Sequence, residues 1–240
     1  MKGSERHRLK ENELSHVLSD ATMRLQENRR TFGLAAGVVA LLLVAGIGYW
    51  AWTTRSQNRA QALLGDAIVI MQAPVADPKP GAKPDGTSYP TVQARAEAAL
   101  AKFAEVYNAY PSTDAGIASR YYAASALAML GKHAEAAARF QETVERAGAN
   151  SFYGRMARLG VVETSAQAKK YDEAITAAQA LVNNTSDDSI PRDALLMELG
   201  RVQAAAGKKT DAKQTLDKII AEFPDSAYID EAKRMIAELT

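Results

Sequence analysis

The sequence predicts an all-α chain: a single transmembrane helix near the N-terminus, followed by a solenoid of roughly three and a half helix hairpins. Three observations carry that reading. The stretch Thr31 to Trp52, TFGLAAGVVALLLVAGIGYWAW, contains no charged side chain. An acidic-alanine turn recurs as Glu135-Ala136, Glu173-Ala174 and Asp211-Ala212, with 38 residues between successive copies. From Thr91 onward the chain is rich in alanine and almost free of β-branched runs, which favours helix over strand.

The N-terminal segment, residues 1–30, carries seven Lys and Arg against five Asp and Glu. Leu14, Val17, Leu18, Ala21 and Leu25 fall on one face of a short amphipathic helix. Such a helix would lie on a membrane surface or dock a partner, and a loosely ordered polar tail is an equal alternative. Residues 31–52 then read as a membrane span. As a helix they reach about 33 Å, against a hydrocarbon core of about 30 Å. Arg30 and Arg55 bracket the run, and Tyr49, Trp50 and Trp52 stand where an interfacial aromatic belt forms. Bulky aromatics at the exit do not suit a signal-peptide cleavage site, so the run reads as an uncleaved anchor. The positive-inside rule puts the N-terminus in the cytoplasm and the bulk of the chain outside. Gly33 and Gly37, one turn apart, offer a small-residue face on which a second helix, including one from a homodimer, could pack closely.

Residues 53–73 extend the helix, with Ala60, Leu63, Leu64, Ala67, Ile68 and Met71 on one stripe. Residues 74–90, PVADPKPGAKPDGTSYP, hold five of the eight prolines and read as a semi-extended spacer keeping the next domain away from the membrane.

The repeat region is residues 91–240. Ala99 supplies a fourth copy, 37 residues before Ala136. Each copy is the second helix of a hairpin whose first helix offers a small or slim residue, Ala124, Val162 or Gly200, opposite Ala136, Ala174 or Ala212. Phe140, Ala178 and Leu216 follow one turn later on the buried face. Gly131 and Gly207 occupy turns that require a left-handed residue, and Lys169 stands at the equivalent place in the middle copy. Pro111 and Pro224 end second helices, Pro191 begins a first helix, and residues 226–239 form a terminal cap.

Several function classes are disfavoured. Residues 56–240 carry 21 Lys and Arg against 23 Asp and Glu, with no basic run interleaved with aromatics, so nucleic acid is not an expected partner. There is no cysteine, and hence no disulfide framework or thiolate site. The histidines are His7, His16 and His133, and the last reads as a solvated residue in an exposed turn. No phosphate loop or hydrolase string is present, so the chain is expected to be no enzyme, with no catalytic, cofactor or metal residues.

The spacing, together with EFPDSAYIDEA at 222–232 and AYPS at 109–112, resembles the tetratricopeptide repeat of bacterial envelope proteins. The period departs from the usual one, and the early tryptophan of the common motif is missing. The resemblance implies a groove lined by first helices, at Tyr121, Ser125, Met129, Met156, Leu159, Glu163, Met197 and Arg201. Methionine repacks readily, which suits contact with varied polypeptide, and some of these residues could equally be ordinary core. The layout of short tail, single span and repeats is similar to the ancillary subunit family of the Sec translocon. That likeness implies a bacterial inner-membrane protein with its repeats in the periplasm. Its partners would be the translocon, periplasmic chaperones or client polypeptides, together with the lipid bilayer. A scaffold for envelope assembly or cell division is the alternative, and an unrecognised enzyme comes last.

Overall fold

The fold comes from a computed structural model that describes residues 29–76, 88–184 and 190–240. The amphipathic helix expected at residues 14–25 and the middle of the proline-rich segment lie outside the described residues. Within them are nine helices: α1 (Arg29–Gln72), α2 (Val92–Ala109), α3 (Asp114–Met129), α4 (His133–Ala147), α5 (Phe152–Gln167), α6 (Tyr171–Val182), α7 (Arg192–Ala205), α8 (Lys209–Glu222) and α9 (Ile229–Leu239). The chain forms two compact units, Met1–Arg55 and Ser56–Thr240.

In the first unit, α1 carries no charged side chain from residue 31 to residue 52, and its apolar residues lie on every side of the helix. Leu41, Val44 and Ile47 expose 70, 71 and 64% of their surface. The segment Ala36–Gln72 lies in a helix long and apolar enough to cross a membrane. Tyr49 and Trp52 pair their rings at 6.3 Å, and the hydroxyls of Thr53 and Thr54 both donate to the Trp50 carbonyl. Neither Gly33 nor Gly37 has a neighbour within 4 Å of where a Cβ would stand.

The second unit is a stack of helix hairpins, α3 with α4, α5 with α6 and α7 with α8, closed by α9. Ala99, Ala136, Ala174 and Ala212 are all fully buried, as the recurring turn requires. Ala124 and Val162 on the facing helices are fully buried too, and a Cβ on Gly200 would stand 2.7 Å from the Leu216 side chain. The three hairpin turns share one hydrogen-bond pattern. Gly131 N–H donates to Ala128 O and Lys132 N–H to Leu127 O, and the same pair of bonds recurs at Lys169–Lys170 and at Gly207–Lys208. These are left-handed helix caps, with φ of 72° at Gly131, 60° at Lys169 and 73° at Gly207.

Two hairpin-to-hairpin junctions are likewise built alike. Thr113 and Ser151 cap α3 and α5 by accepting from Gly116 N–H and Gly154 N–H. A Cβ on either glycine would fall 1.9 Å from Tyr110 O or 2.0 Å from Gly148 O. Only glycine lets the preceding carbonyl approach so closely.

The start of the stack differs from the sequence expectation. Ala60, Leu64 and Ala67 of α1 share a core with Ala99, Phe103, Val106 and Tyr107 of α2. The ends of the proline-rich segment meet: Ala76 N–H donates to Tyr89 O, Tyr89 N–H donates to Pro74 O, and Arg95 donates to Ala73 O. The helical extension is therefore the packing partner of α2, and the described ends of residues 74–90 meet between two packed helices, where a semi-extended spacer would hold them apart. Burying the Leu64 side chain contributes about 2 kcal/mol towards holding the pair closed.

Candidate protein-binding groove

The first helices of the hairpins present one face away from the second helices. On α5, Phe152, Met156, Leu159 and Glu163 recur at helical spacing along that face. The opposite side of the helix is packed. Gly160 lies against the Phe140 ring, where a Cβ would come within 2.7 Å, and Ala157 and Val162 are fully buried. Phe152 stays 63% exposed and Met156 37% exposed. On α3, Tyr121 and Ser125 are half-buried and Met129 is 42% exposed.

Aromatic rings join the two helices. Tyr121 meets Tyr122 at 5.4 Å, Tyr153 at 5.6 Å and Phe140 at 5.5 Å, and Tyr153 in turn meets Phe152 at 5.2 Å. Edge and tilted contacts of this kind place ring edges on ring faces and add to the gain from burial. Burial pushes the Tyr153 phenol up to about 12, helped by the neighbouring Tyr122 and Tyr121. Burial also raises the Tyr121 phenol, with Tyr122 and the Glu163 carboxylate adding to it and a hydrogen bond with Ser125 opposing it. The Tyr121 and Tyr153 phenols therefore stay neutral at physiological pH.

The far end of the groove departs from expectation. Met197 is fully buried, in the same core as Ala232 of α9, and is not a groove residue. Arg201 is held by Glu231 of α9 at 2.8 Å and by Glu198 at 3.5 Å, so its guanidinium is occupied. The two corrections differ in cause: Met197 faces the core shared with the neighbouring helices, while α9 supplies the Glu231 that holds Arg201. Phe152, Tyr122 and Tyr153 are candidate groove residues that the sequence reading did not include. The adjacent aromatic pairs at 121–122, midway along one first helix, and 152–153, at the start of the next, were the available signal.

A second polar arrangement was also unforeseen. Arg120 is only 4% exposed, and its guanidinium stacks 4.9 Å from the Tyr107 ring centre. Arg139 stacks on the same ring at the same distance. Glu142 pairs with Arg120 at 3.3 Å, Arg139 at 2.7 Å and Arg146 at 3.2 Å. One carboxylate and one ring thus tie α2, α3 and α4 together. Burial lowers the Arg120 pKa, and Glu142 opposes that shift.

Elsewhere, a cleft of about 730 Å³ between α4 and α6 is walled by Ala134, Ala137, Ala138, Thr176 and Ala177. Its charged rim is neutralised, with Lys170 paired to Glu173 and Lys208 to Asp172, which holds the Asp172 carboxyl below its usual range. His133 is half-buried as the first residue of α4, more covered than an exposed turn would leave it. Among the described residues no three His, Asp or Glu side chains gather to hold a metal ion.

Against known families, residues 91–232 match the tetratricopeptide repeat-like domain. The chain belongs to that family. No curated protein matches the sequence. Tetratricopeptide repeat-like domains are protein-interaction modules and generally act as scaffolds rather than enzymes. The chain therefore joins a protein-binding repeat unit to a helix long and apolar enough to cross a membrane.

Proposed function

We propose that the chain is a single-pass protein of the bacterial inner membrane, with its N-terminus in the cytoplasm and its repeats in the periplasm. There it engages polypeptides leaving or assembling at the Sec translocon, alone or beside periplasmic chaperones. The observation that carries this reading is the exposed aromatic and methionine strip, Phe152, Met156 and Met129 beside Tyr121 and Tyr153, on the first-helix face of a tetratricopeptide repeat-like stack. Such a strip adapts to unlike apolar sequences, as a client-binding surface must. The layout of tail, span and repeats supports the placement, by likeness to the translocon's ancillary subunit. Tyr121, Ser125, Met129, Met156, Leu159 and Glu163 form the working groove. In the span, Gly33 and Gly37 form the contact face for a second helix, in a homodimer or with a membrane partner, because both are free of neighbours.

Photo-crosslinking from Met156 in intact membranes, combined with protease protection of sealed vesicles, tests side and partner together. Adducts to translocon components or emerging chains, from a repeat unit digested only from the periplasmic side, are expected. Adducts to division or outer-membrane assembly proteins with septal localisation would replace this reading with the scaffold alternative.

A further inference from the structure

The groove has a charge character that its apolar lining conceals. On α3 and α5 the cations are Arg120, Arg155 and Arg158, and each is directed to a partner. Arg120 is buried against Tyr107 and Glu142, Arg155 donates to the Asn150 carbonyl, and Arg158 donates to the Ala180 carbonyl of α6. Glu163, the acidic residue of α5, makes no ion pair among the described residues. Its Oε1 accepts one hydrogen bond from Gln167 at 3.3 Å, and the residue is exposed. One repeat further on, Arg201 stands at the position equivalent to Glu163, but Glu198 and Glu231 outnumber it. The floor is therefore a set of neutral aromatic rings flanked by surplus carboxylate.

We infer that the groove selects extended polypeptide segments in which lysine or arginine lies next to apolar side chains. This rests on the reading of the first-helix face as the binding surface and adds the chemistry of what it takes. The apolar side chains would lie along Phe152, Met156 and Leu159 of the same strip, and the cation would sit at the Glu163 carboxylate, beside the Tyr121 ring. Ring faces attract cations, and the attraction adds to the pairing with the carboxylate. An acidic or phosphorylated segment would find a carboxylate and no free guanidinium on α3 or α5, which disfavours it.

The test uses the full-length chain in dodecyl maltoside micelles, with empty micelles subtracted. The probes are fluorescein-labelled peptides of Gly-Leu-Lys, Gly-Leu-Gln and Gly-Leu-Glu repeats, read by fluorescence anisotropy at low and high salt. Binding is expected in the order lysine, glutamine, glutamate, with the spread narrowing at high salt. Glu163→Gln should lower the ratio of lysine- to glutamine-peptide affinity about three- to tenfold. Glu163→Lys should reverse the order. Glu163 is exposed, so the circular dichroism and thermal midpoint of both variants should match the parent. Equal binding of all three peptides, abolished by Tyr121→Ala, would overturn the charge preference while upholding the groove. An unchanged lysine-to-glutamine ratio in Glu163→Gln would also overturn the preference. Failure of all three peptides to bind would overturn the groove reading and this inference with it.

Discussion

Replacing Lys169 by glycine should stabilise the repeat unit, and the size of the gain follows from the turn in which it sits. Lys169 has φ of 60°, and it is the single non-glycine residue with positive φ among the described residues. Its backbone closes the same two hydrogen bonds that Gly131 and Gly207 anchor in the neighbouring hairpins. A side chain in the left-handed region costs roughly 1–2 kcal/mol through the clash of Cβ with the backbone. Glycine removes that clash but gives the unfolded chain more freedom, a cost of about 0.5–1 kcal/mol. The net gain for Lys169→Gly is therefore about 0.5–1 kcal/mol, equivalent to a rise of about 1–4 °C in the thermal midpoint for a unit of this size. The converse change, Gly131→Lys, should lose a comparable amount, because it imposes the same strain on a turn of the same geometry. Thermal and urea unfolding of both variants, followed by circular dichroism in detergent, measures the pair. A lower midpoint for Lys169→Gly, or an unchanged one for Gly131→Lys, would refute the turn argument.

Other changes probe different contacts. Gly160→Ala should cost about 1–3 kcal/mol, since its Cβ meets the Phe140 ring at 2.7 Å and the ring must shift; Gly33→Ala, with open space around it, should leave unfolding of the repeat unit unchanged. Glu142→Gln should cost about 1–3 kcal/mol by removing the carboxylate shared by Arg120, Arg139 and Arg146, read as a lower urea midpoint with an unchanged slope. A folded-state phenol at about 12, above its usual 10, means the folded protein keeps the Tyr153 proton after the unfolded chain has lost it. That contribution is full below pH 10 and is lost between pH 10 and 12, so Tyr153→Phe should flatten the fall in stability across that window, and ultraviolet titration should show one fewer late-ionising phenol. A fragment beginning at residue 91 should aggregate, because it bares the Ala99 and Phe103 surface that α1 covers, whereas one beginning at residue 56 should remain monomeric by light scattering.

Much of the hairpin stack was legible because its requirements are local. A left-handed turn needs glycine or strain, which marks residues 131, 169 and 207, and close helix contact needs alanine, which marks 136, 174 and 212. The pairing of α1 with α2 was hidden for a physical reason. An apolar stripe such as Ala60, Leu64 and Ala67 looks the same whether it continues a membrane helix or faces a protein core, and a proline-rich segment can loop back as readily as it can extend. Met197 carries the same chemistry as Met156, and only the tertiary core in which it sits, with residues of the neighbouring helices such as Ala178 and Leu216, separates a buried residue from an exposed one. Arg120 was unreadable because a buried guanidinium needs Tyr107 and Glu142 from two other helices, and no short-range pattern announces them.

The sharing of α1 between the apolar run and the first hairpin also imposes an order on synthesis. Ala60, Leu64 and Ala67 are made before the α2 residues that cover them, with the whole proline-rich stretch still to be translated. Until then the stripe has only solvent, lipid or another protein to lean on. The pairing of α1 with α2 can form only after Phe103 and Val106 have arrived, so a nascent chain of this protein passes through a stage in which it is itself a client for whatever shields exposed apolar helices.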